Sequence, residues 1–275
     1  MKLLIDIGNT RIKIGWLKPG CGRRETQPLT LEHNAIGQFP AWLAQLDERP
    51  SAVLGVSVAH PEAAIELDAI LNQRYGLSAH WVQGSSWAAG VRNAYQTPGQ
   101  LGADRWVAML GLAGHAQALP VGGPLILASF GTATTIDTLN PVSGMTDGTH
   151  FIFEGGLIFP GPALMASSLA TGTARLPQAD GPVCAYPTDT QQAISSGIAA
   201  AQAGAVLRQW REGLERYGRA PAIYSSGGGW PVVENETQRA LARAQADLNL
   251  PQLAIQWLPT PVLDGLARLA QGVSI

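Results

Sequence analysis

The sequence predicts an α/β fold made of two related halves, and three observations carry that reading. Short apolar runs alternate with longer stretches of helical spacing along the whole chain. A strand, a Gly/Thr turn and a second strand occur twice, near residues 3–17 and near residues 125–139, which reads as a duplicated α/β unit. Of the 275 residues, 46% are hydrophobic and 14% charged, enough apolar material for a sizeable core and unlike a disordered chain.

Taken in order, Lys2 to Ile7 is a short apolar run ending in Asp6-Ile7-Gly8-Asn9-Thr10, a buried strand that enters a tight turn. Arg11 to Leu17, with Ile12, Ile14 and Trp16 alternating, is the returning strand. Ala35 to Leu46 has helical spacing, Ala52 to Val58 reads as a strand, Pro61 to Tyr75 as a helix and Ala79 to Val82 as a further short strand. Gly102 to Leu119 is apolar at helical spacing and starts near Ala103. Leu125 to Ala128 is a second buried strand, followed by the turn Phe130-Gly131-Thr132-Ala133-Thr134-Thr135 and the strand Ile136 to Leu139. Phe151 to Ile158 is strand-like, Pro162 to Thr171 helix-like, and Thr190 to Tyr217 a long helical pattern. Ala222 to Ser225 is a strand ending in Ser226-Gly227-Gly228-Gly229. Thr237 to Asn249 is a helix, Ala254 to Leu258 a strand and Val262 to Gln271 a final helix. The break falls near Pro120 to Pro124, dividing the chain into domains 1–119 and 120–275, expected to pack closely about a cleft.

Several function classes are disfavoured. The formal net charge is −2, without the basic excess of a nucleic-acid binder. Cys21 and Cys184 form no CxxC or zinc spacing and read as free thiols in a reducing cytoplasm. Five histidines are scattered without HExxH, so a structural metal is not expected. Asn235-Glu236-Thr237 matches a glycosylation sequon, with nothing else pointing to secretion. Asp6 interrupts the first apolar run, so no signal peptide is read. The uncharged stretch from Trp106 to Ile136 is cut by Pro120, Gly122, Gly123 and Pro124, and fits a helix followed by a buried strand better than a membrane span.

Five constellations can carry chemistry. In Asp6-Ile7-Gly8-Asn9-Thr10, a glycine lets backbone N–H groups approach an anion, Asn9 and Thr10 add donors, and an acid at the strand end can hold Mg²⁺ through water; an ordinary hairpin with a capping Asp has the same residues. The Gly131–Thr135 turn repeats the theme, and two opposed hairpins can clamp the phosphates of one nucleotide. No GxxxxGK[ST] occurs, which excludes a P-loop. In Gly102-Ala103-Asp104-Arg105, a carboxylate beside a guanidinium at a helix start can act as base and anion clamp, or merely as a solvated pair at a helix cap. Glu154-Gly155-Gly156-Leu157-Ile158-Phe159-Pro160-Gly161 and Ser226 to Gly229 are constrained loops that either let backbone approach a nucleotide or serve only as turns.

These motifs stand in the order of the type III pantothenate kinases, which the chain resembles over essentially its whole length; Asn93, Tyr95, Pro98, Thr190 and the ending Leu263-Asp264-Gly265-Leu266 also fit. Some members carry the name Bvg accessory factor, and the chain resembles those. The resemblance implies two ribonuclease-H-like domains of the acetate kinase, sugar kinase, chaperone and actin superfamily, with mixed sheets flanked by helices. It implies ATP-dependent phosphorylation of pantothenate by a cytoplasmic homodimer, the first step toward coenzyme A. Asp104 is then the general base and Asp6 the acid that organises Mg²⁺. Gly8, Asn9, Thr10, Thr132, Ala133 and Thr134 surround the ATP phosphates. Tyr95, Gly102, Ala103 and Arg105 meet pantothenate, with Thr190 reaching in from the other subunit. Ser129 stands where many members carry Asp at the site of a monovalent cation, K⁺ or NH₄⁺, and offers that ion a neutral hydroxyl. Gly229 stands where many carry an acid. The expected partners are ATP, pantothenate and a second copy of the chain, without nucleic acid or membrane. Two rivals remain at this stage: a catalytically worn kinase fold acting as an accessory factor in transcription, and a sister enzyme with another small hydroxylated substrate.

Overall fold

The computed structural model describes residues 1–18, 20, 22, 24–117 and 122–272. Cys21, Pro120, the end of the third expected helix at Leu119 and the expected domain break between 119 and 120 lie outside them. The chain forms two compact units: Met1–Pro120 with Val142–Phe153 and Thr260–Ile275, and Val121–Pro141 with Glu154–Pro259.

In the first unit, β1 (Lys2–Ile7) and β2 (Arg11–Leu17) form the expected hairpin, with Ile5 opposite Ile14 and Asp6 opposite Lys13. β3 (Leu29–Glu32) adds to β2 antiparallel, while β4 (Ala52–Ser57) and β5 (His80–Trp81) continue from β1 in parallel, giving the order β3-β2-β1-β4-β5. Alternation sets the two faces of β1. Leu3, Ile5 and Ile7 pack with Ile12 and Ile14 against α1 (Phe39–Leu43) and α2 (Pro61–Tyr75), through Phe39, Leu67 and Leu71. Lys2, Leu4 and Asp6 point the other way, and Lys2 Nζ donates to the Ala270 carbonyl of α7 (Pro261–Gly272). Asp6 therefore lies on the face covered by α7 and α3 (Ala103–Gln117). These two helices approach closely: a side chain on Gly265 would strike the Val107 carbonyl, and one on Gly111 the Pro261 carbonyl. β6 (Trp87–Ala88) and β7 (Val91–Asn93) complete this unit, with β7 parallel to residues 151–153 of β10 (Phe151–Pro160).

The second unit repeats the plan. β8 (Leu125–Phe130) and β9 (Ala133–Pro141) form an antiparallel hairpin, and β11 (Ala222–Ser226) and β12 (Gln256–Trp257) continue from β8 in parallel. With the later part of β10 beyond β9, the order is β12-β11-β8-β9-β10. Counted from the first strand of each, both sheets read 3-2-1-4-5, the physical content of the duplication seen in the two Gly/Thr turns. Ile126, Ala128, Phe130 and Ile136 pack with Val206 and Trp210 of α5 (Thr190–Tyr217) and with Trp230, Val233 and Leu241 of α6 (Trp230–Asp247). α4 (Pro162–Gly172) packs on α5.

Several elements differ from expectation. Pro40 lies in the first turn of α1, so Ala35 to Leu46 is not one helix but a 3₁₀ turn, His33–Gln38, followed by a short α-helix. α6 begins at Trp230 rather than Thr237, because Pro231 suits a first helical turn. This puts the sequon inside a helix, where the Thr237 hydroxyl is buried and donates back to Val233 O at 2.7 Å. Among the described residues no helix is long and apolar enough to cross a membrane; the uncharged stretch splits into α3 and β8.

Candidate active site

Asp6 is the penultimate residue of the central strand of the first unit, near the carboxyl end at which open α/β sheets present their ligands. Asp6 keeps some solvent contact as a residue, yet dense packing around its carboxyl pushes that group up to about 7. Desolvation is the main cause; Lys13, opposite it across the ladder, opposes the rise and the charge of Asp104 adds to it. The turn that follows is held from both sides. Gly8 N donates to Arg11 O at 3.0 Å, and the His33 ring brings Nε2 within 2.9 Å of Gly8 O. Asn9 and Thr10 are exposed at its tip.

Asp104 occupies the first turn of α3, and its Oδ1 accepts from the Arg105 backbone N–H at 2.8 Å. Burial raises its carboxyl above the ordinary carboxylate value, against that hydrogen bond and the neighbouring guanidinium. Gly102 lies two residues before it, and a side chain there would come within 2.8 Å of Asp104 Oδ1. Arg105 is only 7% exposed. Its Nη1 donates to Tyr95 Oη at 3.0 Å, and its guanidinium lies 5.9 Å from the ring centres of both Tyr95 and Phe153. Those two rings stack at 5.6 Å. Tyr95 is set in turn by Asn93, whose Oδ1 accepts from Tyr95 N at 3.0 Å and whose Nδ2 donates to Ser85 O at 3.1 Å. The first and third constellations thus belong to one unit, and their acids feel each other's charge.

The second, fourth and fifth constellations converge in the other unit on the turn Gly131-Thr132. Gly131 N donates at 3.1 Å to the carbonyl of Ala133, the first residue of β9, as Gly8 N does to that of Arg11, the first residue of β2, in a turn one residue longer. Gly161 N donates to Thr132 O at 2.9 Å and Gly229 N to Phe130 O at 2.9 Å. Gly161 lies so near Gly131 O that no side chain fits there. Thr132 and Ala133 are exposed at the tip, whereas Thr134 is 0% exposed and its hydroxyl has no hydrogen-bond partner among the described residues. Thr134 is therefore buried beneath the turn, whereas Thr132 is exposed on it. Glu154 of the fourth motif is paired with Arg216 at 3.5 Å. Ser129, partly buried, sits in register with Ser226. Among the described residues no group of three His, Cys, Asp or Glu side chains is placed to hold a metal ion. Thr190 is exposed at the start of α5, capped by Asp189, and lines an apolar depression of about 510 Å³ with Met165, Leu169 and Ile194.

Sequence patterns missed His33, Phe153 and Gln202. None belongs to a motif, and each acts through a contact far along the chain; the one hint was a lone Gln on the apolar face of a long helix.

The sequence matches the family model described as type III pantothenate kinase over residues 2–212. A type III pantothenate kinase from Bordetella petrii is 51% identical over 274 residues, covering 98% of this chain and 97% of that protein. One from Bordetella pertussis is 48% identical over 273 residues, with 98% and 97% covered. Among solved structures, a propionate kinase from Francisella tularensis subsp. tularensis SCHU S4 superposes with a TM-score of 0.56 at 13% identity, covering 98% of each chain. The two chains thus share a fold.

Proposed function

The chain belongs to the type III pantothenate kinase family, and from that premise we propose how its residues carry out the ATP-dependent phosphorylation of pantothenate to 4′-phosphopantothenate, the first step of coenzyme A biosynthesis. The observation that carries the assignment is the linked set Asp104–Arg105–Tyr95. Asp104 orients the primary hydroxyl of pantothenate and accepts its proton as the hydroxyl oxygen attacks the γ-phosphorus of ATP. A carboxyl raised by burial is a better proton acceptor than an ordinary one, which suits a general base. Arg105, anchored on Tyr95 and lying beside the stacked rings of Tyr95 and Phe153, keeps a fixed cation for the anionic acceptor, with Tyr95, Gly102 and Ala103 forming its surroundings. ADP is the leaving group. Phosphoryl transfer asks the protein mainly for position and electrostatics, and the groups named here supply both.

The two Gly/Thr turns, Gly8-Asn9-Thr10 and Gly131-Thr132-Ala133, are read as the phosphate-binding elements, their shared hydrogen-bond pattern being the support. Thr134 serves that reading from beneath the second turn. The reaction calls for a divalent metal. Asp6 fits Mg²⁺, because a desolvated carboxyl facing a second acid gains from added positive charge, and one carboxylate plus phosphates and waters is a usual Mg²⁺ set. The ion's contribution when bound is to offset charge on the phosphates. For a monovalent cation, K⁺ or NH₄⁺, Ser129 offers a neutral hydroxyl, so activation is weaker than a carboxylate would give. We further propose a cytoplasmic homodimer in which Thr190 completes the partner's pantothenate site, and two ribonuclease-H-like domains divided at 119/120. Retention of Asp6, Asp104 and Arg105 speaks against the worn-kinase alternative.

The test is a coupled ADP-release assay with several hydroxylated acceptors and cations. Pantothenate-dependent ADP release is expected; none from the folded protein with Mg-ATP would overturn the assignment.

A further inference from the structure

Gln202 departs from the pattern of its helix. It lies on the face of α5 that turns Ile198, Ala199, Ala203 and Val206 inward, and it is 0% exposed. Its Nε2 donates to Pro160 O at 2.9 Å and lies 3.4 Å from Met165 Sδ, while its Oε1 has no partner among the described residues. A Met or Leu would fill similar space without burying a lone carbonyl, so what the glutamine adds is its donor to Pro160. Pro160 leads directly into Gly161, whose N–H donates to Thr132 O at 2.9 Å and whose Cα abuts Gly131 O. One continuous series of contacts therefore runs from the middle of α5, through Pro160 and Gly161, to the backbone of the Gly131–Thr132 turn. Thr134 takes no part in it, its buried hydroxyl being without a partner among the described residues.

We propose that Gln202 is a positioning residue for the nucleotide: by holding the Pro160–Gly161 corner from behind, it fixes the Gly131–Thr132 backbone in the conformation that receives an ATP phosphate. This rests on the reading of that turn as a phosphate-binding element. Gln202 touches no reacting atom; it acts on ATP affinity and leaves the Asp104–Arg105–Tyr95 set alone.

The experiment compares Gln202→Met, with Gln202→Leu as a second variant, against Gly131→Ala in the turn itself. Each is assayed for KM of ATP, KM of pantothenate, calorimetric affinity for Mg-ADP and thermal midpoint. Loss of one buried hydrogen bond to the brace should weaken nucleotide binding and raise KM for ATP about tenfold. KM for pantothenate should hold, and the thermal midpoint should change little, since losing the lone Oε1 offsets leaving Pro160 O without this donor. Gly131→Ala should also weaken the nucleotide. Parental nucleotide affinity in both Gln202 variants, with Gly131→Ala impaired, would overturn the brace alone. Parental affinity in all three would overturn the turn reading with it. A lower midpoint with both KM values shifted alike would reduce Gln202 to a packing residue and overturn the proposal.

Discussion

Arg105 donates a 3.0 Å hydrogen bond to the hydroxyl of Tyr95, and the ring of that tyrosine is stacked on Phe153. A cation that is 7% exposed is thus aimed by a neighbour that the chain brings up from a separate segment. A hydrogen bond to a charged group is worth about 1.5–3 kcal/mol, equivalent to about 10- to 100-fold in affinity. Tyr95→Phe should therefore raise KM for pantothenate at least about tenfold while KM for ATP stays near parental. Arg105 keeps its ring contacts, so the fold should survive. Steady-state kinetics with each substrate varied checks this; equal changes in both constants would reduce Tyr95 to a structural role.

Asp104→Asn keeps the shape of the side chain and its acceptor for the Arg105 N–H, but cannot take a proton. Turnover should fall by ~10²–10⁴, with calorimetric affinity for Mg-ATP preserved. Near-parental turnover would end the general-base assignment.

The same substitution has a signature in stability. Burial raises the Asp104 carboxyl in the folded chain above its unfolded value of 3.8, so the folded state binds more protons than the unfolded one in that window. Stability is then fully favoured below pH 3.8 and falls as pH rises through the raised folded value. Asp104→Asn should remove that loss and raise the thermal midpoint at pH 8 relative to the parent, in the absence of nucleotide. A lower midpoint at pH 8, with no change in its pH slope, would contradict it.

On the proposed reading of Ser129 as a monovalent-cation ligand, its neutral oxygen holds the ion less well than a carboxylate would, because K⁺ gives up strong hydration on entry. Activation by K⁺ or NH₄⁺ should be shallow in the parent and steeper in Ser129→Asp. Titration of activity with KCl at constant ionic strength decides this. A steep, saturable response in the parent that the variant leaves unchanged would sink the idea.

Thr190 lies exposed beside an apolar depression on a helix rich in small residues, among them Ser195, Gly197, Ala199, Ala200 and Ala203. Sedimentation should show a dimer at assay concentration. Thr190→Ala should raise KM for pantothenate several-fold (about one side-chain hydrogen bond) without dissociating it. A fully active monomer would remove both the dimer and the role of Thr190.

Much of the fold is legible locally. The alternation of Leu3, Ile5 and Ile7, the glycines at 8 and 131, and the helical spacing after Ala103 each declare themselves within a few residues, because side-chain period and turn chemistry are local properties. β3, β6 and β7 are too short for a period to emerge, and Pro40 broke a pattern that looked like one helix. Asp104 and Arg105 are adjacent in sequence, so their pairing was readable, while the stacking of Tyr95 on Phe153 was not.

By itself, then, the sequence determined the longer strands, the two Gly/Thr turns and the adjacency of Asp104 and Arg105. Only the tertiary structure decided that burial raises the Asp6 carboxyl, that Thr134 lies under its turn while Thr132 stands on it, and that His33 and Gln202 contact backbone distant in sequence. The reason is physical: propensity and period act over a turn or two of chain, whereas desolvation and side-chain-to-backbone bracing depend on which segments the sheet order brings together.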